Sequence, residues 1–218
     1  MKFETIKSPY WDDAPVYIVG GGPSLRGFDF SRLKGKGHVV GVNRAMFDCP
    51  CECGVSVDHQ FITNFSNSLY DFGCNHTLYL AVGEAPRLPH VSSAMYLRTV
   101  YASGLSLDPE FLHKGSTSGY AALGIALLKR ARMIILLGYD YSTDGPVHHY
   151  HSDYPWYNKA SDQSWGRWSL KYGPAACDCL SLGVKVLNAS PNSALPYFKK
   201  ITLEEALDVA SLSAVDQD

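Results

Sequence analysis

The sequence predicts an α/β fold: a single Rossmann-like domain with a mostly parallel sheet flanked by helices, plus a lid segment rich in histidine and aromatic residues. Short apolar, β-branched runs alternate with segments of helical spacing, which is the pattern of a parallel sheet. Two runs, PVYIVGGG and RMIILLGYD, are apolar throughout rather than at alternate positions, as in strands covered on both faces. The 218 residues, 46 % of them hydrophobic, suffice for one such domain.

These patterns assign the elements in order. We expect strands at 15–22, 37–45, 53–61, 76–83 and 92–100, a helix at 116–131, a central strand at 132–142, a helix within 164–183 and a last strand at 184–190. The helix at 116–131 begins with Ser and Thr and ends with basic residues, which suit the two ends of a helix dipole. A turn and a short helix at 191–207 follow. We place the domain at 1–210, its lid at about 143–168 and a flexible tail at 211–218.

Charge and hydropathy limit the classes of partner. The formal net charge is −2, which indicates neither a nucleic-acid nor a membrane surface. No apolar run approaches the roughly 20 residues that cross a bilayer, so we expect no membrane insertion. The first residues, MKFETIKSPYWDD, lack the apolar core of a signal peptide. We therefore expect a cytoplasmic protein.

Six cysteines raise the question of a metal. The string CPCECG, with His59, Cys74 and His76 downstream, contains the residue types of a zinc site, but C-x-C-x-C is not the C-x2-C spacing of a zinc knuckle. If the string is a strand, its three cysteines share one face of the sheet. Buried reduced thiols are the alternative that we favour.

Polar residues follow the predicted strands where each one ends. They are Gly20, Gly21, Gly22, Pro23 and Ser24 after the first strand, then Asn43, then Asp58 with His59, and then Asp140. Because ligands bind outside the carboxyl ends of parallel strands, we expect these residues to meet at one edge. The GGGPS loop is either a phosphate-binding loop or a structural turn, and it is neither G-x-G-x-x-G nor a Walker loop. Asp140 is either a buried structural carboxylate or a group that orients a substrate or a histidine.

The segment GPVHHYHSDYPWYN has the densest cluster of candidate catalytic side chains in the sequence. It places His148, His149, His151 and Asp153 within six residues. Histidine titrates near neutrality and can take a proton from an attacking hydroxyl group. Two of these histidines with Asp153 or Asp140 are also a candidate set of ligands for a divalent metal, although we expect no metal. Nearby aromatic rings either stack on a sugar or base or pack the lid onto the sheet.

Four blocks carry a family resemblance. GGGPSLRGFDFSRL, VVGVNRAMF, TSGYAALGIALLKRARMIILLGYDYS and LGVKVLNASPNSAL occur in that order over about residues 15–207. Together they resemble glycosyltransferase family 42, the bacterial sialyltransferases, and also related phage proteins and the archaeal hydroxymethylpterin pyrophosphokinases. The resemblance implies transfer of a sugar from a CMP-sugar to a hydroxyl group without a metal. A phage origin would place the protein in the cytoplasm of a bacterial host cell.

The resemblance also implies roles for individual residues. The loop from Gly20 to Ser24 would contact the donor, although the sialyltransferases have asparagine where this chain has Gly21. Asn43 matches a donor-binding asparagine, whose alternative is a turn residue at a strand end. The turn formed by Thr117, Ser118 and Gly119 would approach the donor at the start of a helix, where helix capping is a compatible interpretation.

The catalytic region departs from the sialyltransferase pattern. Two tyrosines that touch the donor phosphate in that family correspond to positions near Ser142 and His148, and its histidine base falls near Gly166. The phage relatives have an H-x-H-x-D-x-P pattern, which implies His149 or His151 as the base, with Asp153 as an orienting carboxylate. The departure leaves the donor open between CMP- and UDP-sugars.

Three functions therefore stay open. The first is a nucleotide-sugar glycosyltransferase, whose acceptor is a glycan or a hydroxymethylated base in phage DNA. The second is a pyrophosphokinase-like transferase that uses ATP and Mg²⁺ held by Asp58 and Asp140. The third is a non-catalytic nucleotide-binding module. We also expect that the chain can form a homo-oligomer, as family members often do.

Overall fold

The structure is a computed structural model, and it describes residues 3–83, 88–115, 117–142, 148–152, 154 and 162–208. Nine strands in the described part form one sheet, and every pairing between them is parallel. They are β1 (Val16–Val19), β2 (His38–Val42), β3 (Cys53–Ser56), β4 (Thr77–Val82), β5 (Met95–Val100), β6 (Phe111–His113), β7 (Met133–Leu137), β8 (Lys185–Asn188) and β9 (Lys199–Lys200). The predicted α/β class with a parallel sheet is confirmed.

The strand order fixes where a ligand can bind. The sheet runs β6-β5-β4-β3-β2-β1-β7-β8-β9, so the chain builds outward from β1 in one direction and then returns to its other side with β7. Val19 at the end of β1 is level with Gly41 of β2 and Leu137 of β7. The strand order reverses between β1 and β7, and in doubly wound sheets this switch point opens a crevice at the carboxyl ends.

Helices cover both faces of the sheet. They are α1 (Ala45–Asp48), α2 (His59–Asn64), α3 (Ser66–Asn75), α4 (Ser118–Leu128), α5 (Asp162–Leu170), α6 (Tyr172–Ser181) and α7 (Leu203–Leu207). Alternate residues of β1 supply the two cores: Val16 and Ile18 pack with α4 and α6, whereas Tyr17 and Val19 pack with α1, α2, α3 and α7. No helix in the described ranges is both long and apolar enough to span a bilayer.

Several predicted boundaries are wrong for local reasons. The strand expected at 53–61 ends at Ser56, because the Asp58 carboxylate accepts hydrogen bonds from two backbone amides and starts α2 there. The helix within 164–183 is two helices, and α6 begins with a turn that contains Pro174, which lacks an amide hydrogen. Helices α1 to α3 and the short strands β6 and β9 were not predicted.

The three clustered cysteines do not share a face. Only Cys53 lies in a strand, and its side chain packs in the core beneath α4. Cys49 and Cys51 precede that strand and pack in the core on the opposite face. The chain leaves α1 through a tight turn at these residues, so the period-two argument does not apply to them. All three are free thiols, and the structure forms no group of three or more metal-ligating side chains among its described residues.

Candidate functional site

A cleft lies at the carboxyl ends of the central strands. Its volume is about 490 Å³. Eleven of the residues predicted from the sequence line it: Gly20, Gly21, Gly22, Pro23, Asn43, Asp58, Thr117, Ser118, Gly119, Asp140 and His149. Ser24 and His151 lie just behind this lining, and Asp153 lies outside the described residues. The parallel sheet thus brings together residues that are more than 100 positions apart in the chain.

The first loop is tied to the end of β7. The Gly20 amide donates to the Leu137 carbonyl at 2.7 Å, and the Gly22 amide donates to the Gly138 carbonyl at 2.9 Å. A Cβ atom at Gly22 would meet the Asp140 carboxylate and would lie 2.6 Å from the Gly138 oxygen. Glycine is therefore required here by the close approach of two backbone segments. This contact joins the ends of β1 and β7 at the switch point.

Asp140 holds the next turn of the loop. Its side chain is buried and accepts hydrogen bonds from the Ser24 amide at 3.2 Å and the Ser24 hydroxyl at 2.8 Å. Burial raises the pKa of this carboxyl above its ordinary value, and the Ser24 hydrogen bonds oppose that rise. These contacts are those of a structural carboxylate. Among the amides of this loop, that of Gly21 makes no hydrogen bond within the described part of the chain.

The N-terminus of α4 supplies an anion-binding element. Thr117 caps the helix, since its hydroxyl accepts from the Tyr120 amide at 3.2 Å. The Ser118 hydroxyl accepts from the Val57 amide at 3.0 Å and fixes the helix against the end of β3. The first amide that donates within the helix is that of Ala121, to the Thr117 carbonyl at 3.2 Å. The amides of Ser118 and Gly119 come before it and have no acceptor in the described part of the chain, and both residues line the cleft. Amides at a helix N-terminus bind phosphate and carboxylate groups well.

His149 is held at the other wall by the first loop. Its Nδ1 atom lies 3.2 Å from the Gly21 carbonyl, which also accepts from the Tyr150 amide at 3.0 Å. A Cβ atom at Gly21 would lie 3.1 Å from that same Nδ1 atom. Burial, followed by the nearby His151, lowers the pKa of His149 to about 4. The imidazole is therefore uncharged at neutral pH. With Nδ1 donating to Gly21, its lone pair lies on Nε2.

The histidine segment, which we define as residues 148–152 and Tyr154, docks on α1 and the loop before it. The Tyr150 hydroxyl donates to the Asp48 carboxylate at 2.6 Å, and the Arg44 amide donates to the Tyr154 hydroxyl at 3.1 Å. His151 does not line the cleft. It stacks on the His149 ring at 5.2 Å, with the Tyr154 ring edge-on to both. These contacts fix the direction of the His149 ring.

Three buried polar atoms on the cleft wall have no hydrogen-bond partner in the described part of the chain. They are the Asn43 Oδ1, His148 Nδ1 and Trp165 Nε1 atoms. Asn43 adopts a left-handed conformation with φ of 51°, which turns the chain at the end of β2. Nearly all buried polar groups in folded proteins are hydrogen-bonded. These three atoms on one cleft are therefore available to a polar ligand that supplies both donors and acceptors.

Further side chains complete the cleft. Tyr141, which follows Asp140 at the same strand end, donates to the Tyr172 hydroxyl at 2.6 Å and contacts the Thr117 hydroxyl at 3.0 Å, so a buried tyrosine pair supports the cap of α4. Trp165 and Trp168 of α5, two of the aromatic residues expected either to stack on a sugar or base or to pack the lid, also line the cleft. Sequence reasoning missed Lys114, which lies just before the TSG turn, because no sequence signal distinguished it.

Asp58 has a structural partner set of its own. Its carboxylate accepts from the Gln60 amide at 2.9 Å and the Phe61 amide at 3.2 Å at the start of α2. Both of these bonds go to Oδ1 of Asp58, whereas Asp140 accepts from Ser24 through Oδ1 and Oδ2. Asp140 thus has both carboxylate oxygens in hydrogen bonds of the fold, and Asp58 has one.

No family model matches this sequence, and no curated protein matches it either. Among the solved structures that resemble it are three of a sialyltransferase. The sialyltransferase CstII from Campylobacter jejuni, bound to the substrate analogue cytidine-5'-monophosphate, has a TM-score of 0.49 and 16 % identity, covering 88 % of this chain and 86 % of its own. A point variant of alpha-2,3/8-sialyltransferase CstII scores 0.48 at 15 % identity, and a complex of that enzyme with a trisaccharide acceptor and CMP scores 0.44 at 15 % identity. Each of these two covers 86 % of both chains.

Proposed function

We propose that this protein is a glycosyltransferase that moves a sugar from a nucleotide-sugar donor to an acceptor hydroxyl group. The observation that carries the proposal is the uncharged imidazole of His149, which lines the same cleft as the Ser118 and Gly119 amides at the start of α4. A base on one wall and an anion-binding helix end on another are the two groups that such a transfer needs. The order of the sequence blocks that resemble family 42 supports the same reaction.

The proposed reaction is a displacement at the anomeric carbon. The acceptor oxygen forms a bond to that carbon, and its proton passes to the Nε2 atom of His149. The bond between the anomeric carbon and the donor phosphate breaks, and its electron pair leaves with the phosphate. The amides of Ser118 and Gly119 stabilise the negative charge of the departing nucleotide. An anionic donor beside the imidazole also raises the pKa of His149, which makes it a stronger base when the donor is bound.

Ligand recognition in this proposal uses the orphaned polar atoms. Asn43 Oδ1 accepts from a hydroxyl or amino group of the donor, and the Trp165 indole donates to an oxygen. The Trp165 and Trp168 rings lie edge-on to one another at 5.1 Å and give the cleft an aromatic wall. Sugars and nucleobases both pack well on such rings. CMP- and UDP-sugars are the donors to test first, because the family resemblance implies a CMP-sugar.

Binding is the first test. The melting temperature is measured with CMP, UDP, GDP, ADP, ATP and their common sugar conjugates, with Mg²⁺ and with EDTA. A ligand at 100 times its dissociation constant adds about 2.7 kcal/mol of stability, which gives a clear rise in melting temperature. We expect metal-independent stabilisation by one class of nucleotide. Stabilisation by ATP only with Mg²⁺ would favour the pyrophosphokinase alternative.

Turnover is the second test. Release of the nucleotide is followed with glycan acceptors and, in a separate arm, with DNA that contains hydroxymethylated bases. Substitution of His149 by alanine should lower kcat by about 10²–10⁴-fold, the usual contribution of a general base, while nucleotide binding persists. The control is His90→Gln, an exposed histidine far from the cleft. Equal turnover in His149→Ala and the control would favour a different base. Tight binding without turnover on any acceptor would favour a binding module.

A further inference from the structure

A second groove lies on the outer side of α1, away from the cleft. It has a volume of about 840 Å³ and is lined by α1, α3 and the turn that follows α1. Cys49 and Cys51 both line it, although little of either residue is exposed. These two belong to the CPCECG string, which the proposed function does not use. The two cysteines thus lie close together in the wall of one groove.

The backbone brings the two cysteines together. The Cys51 amide donates to the Cys49 carbonyl at 2.8 Å, which closes a tight turn around Pro50. Residues two apart are separated by at most about 7 Å in an extended chain. A turn shortens that distance into the range of roughly 4.4–6.8 Å that disulfides span. The remaining cysteines are placed differently: Cys53 faces the opposite core, and Cys74 lies on the exposed side of α3.

The two thiols have unequal chemistry. The Cys51 thiol donates to the Met46 carbonyl at 3.3 Å. The contact between the two side chains lowers the pKa of Cys51 below its ordinary value and raises that of Cys49. The thiolate is the nucleophile in cysteine chemistry. Either sulfur of the pair can therefore be the one that attacks an oxidant, and the other is then the resolving thiol.

We propose that Cys49 and Cys51 form a dithiol site that hydroperoxides oxidise to an intramolecular disulfide. The thiolate of one cysteine attacks one peroxide oxygen, an S–O bond forms, the O–O bond breaks, and hydroxide leaves. The sulfur of the other cysteine then attacks that sulfenic acid, the S–S bond forms, and the oxygen departs as water. In total, two thiols and one hydrogen peroxide give one disulfide and two waters. The small ring strains the product, so thiol reductants reverse it readily.

We expect oxidation at this site to alter the contacts of the histidine segment as well. Cys49 directly follows Asp48, whose carboxylate accepts the Tyr150 hydroxyl at 2.6 Å and pairs with Arg44 at 2.6 Å. Closing the Cys49–Cys51 ring changes the backbone that carries this carboxylate. The effect on turnover rests on the proposed function, whereas the modification itself does not.

The test uses the full chain with its two exposed cysteines, Cys74 and Cys177, replaced by serine. After treatment with hydrogen peroxide, we expect the intact mass to fall by two hydrogens, the change to lie in the fragment that contains Cys49 and Cys51, and dithiothreitol to restore it. In the same background, Cys49→Ser and Cys51→Ser should each abolish the loss of two hydrogens, and dimedone should label a sulfenic acid at the remaining cysteine of the pair in at least one of them. Cys53→Ser is the matched control, and this variant should still lose two hydrogens after treatment with peroxide.

Two outcomes would overturn the proposal. One is a folded, peroxide-treated protein that keeps its full mass, as judged in the variant that retains both Cys49 and Cys51. The other is an equal mass loss in Cys49→Ser, which would assign the chemistry to other thiols. Both readouts are masses and do not depend on a donor, so they stay separate from the test of the glycosyltransferase.

Discussion

The stability of the protein should depend on pH through His149. The fold holds this imidazole uncharged, because burial lowers its pKa from an ordinary 6.5 to about 4. Below pH 6.5 the unfolded chain binds a proton that the folded chain rejects, so the free energy of unfolding falls as the pH drops. One pKa unit is worth about 1.4 kcal/mol. Protonation of His149 should therefore lower the free energy of unfolding of the wild type by about 3 kcal/mol between about pH 6.5 and pH 4.

The perturbation is His149→Gln, which keeps a polar side chain near Gly21 but cannot gain a proton. Urea unfolding of both proteins is followed by far-UV circular dichroism at several pH values between about 7 and 4. All other titrating groups contribute equally to both proteins at first order and cancel in the difference. We expect the variant to lose less stability on acidification, with the gap opening below about pH 6.5 and reaching about 3 kcal/mol near pH 4.

A parallel pair of curves would refute the reasoning. If both proteins lost stability equally from neutral to acidic pH, the imidazole would titrate as it does in water, and His149 could not be the buried base described above. His90→Gln guards against a general effect of losing a histidine, and its curve should follow the wild type. The measurement needs no ligand, so it tests the site before any donor is known.

Three further substitutions test the geometry around the cleft. Gly22→Ala should lower the free energy of unfolding by about 2 kcal/mol or more, because the added carbon meets Asp140 and the backbone beyond it; Gly166→Ala, with open space in α5, should be neutral or stabilising by up to about 1 kcal/mol in the same urea experiment. Thr117→Val removes the cap of α4 and should cost about 1 kcal/mol, with weaker nucleotide binding by calorimetry; unchanged stability would mean that the cap bond is not formed. Asp140→Asn should destabilise by about 1–2 kcal/mol, because one Ser24 donor then loses its acceptor, and a stability equal to wild type would contradict the buried contact.

The fold was predictable because strongly apolar strands dominate it. The runs before Gly20 and Gly138 have no polar interruption, and such runs identify parallel strands well. The short helices after β2 and β3 were not predictable, because they carry too few turns to show a helical period. The end of β3 depends on the side chain of Asp58, which caps the next helix. From sequence alone, an aspartate at a strand end is equally consistent with a helix cap and with a ligand-binding residue.

The position of the site could be predicted from the sequence, but the hydrogen bonds within it could not. Strand-end residues converge because parallel strands share one edge, and this rule brought Gly21, Asn43 and Thr117 to one cleft. Which backbone amides stay available depends on hydrogen bonds across the chain, such as those that consume the Gly20 and Gly22 amides. The Thr117 hydroxyl contacts the hydroxyl of Tyr172, which is 55 positions away in the chain, and no local sequence pattern predicts such a contact.

The proximity of Gly21 to His149 couples the two positions. A Cβ atom at position 21 would lie 3.1 Å from the imidazole, so the ring would have to give way by a few tenths of an ångström. The ring also stacks on His151 and contacts the Gly21 carbonyl, so a side chain in the first loop would alter how the histidine sits. The absent Cβ atom thus helps to set the direction from which the imidazole reaches the cleft.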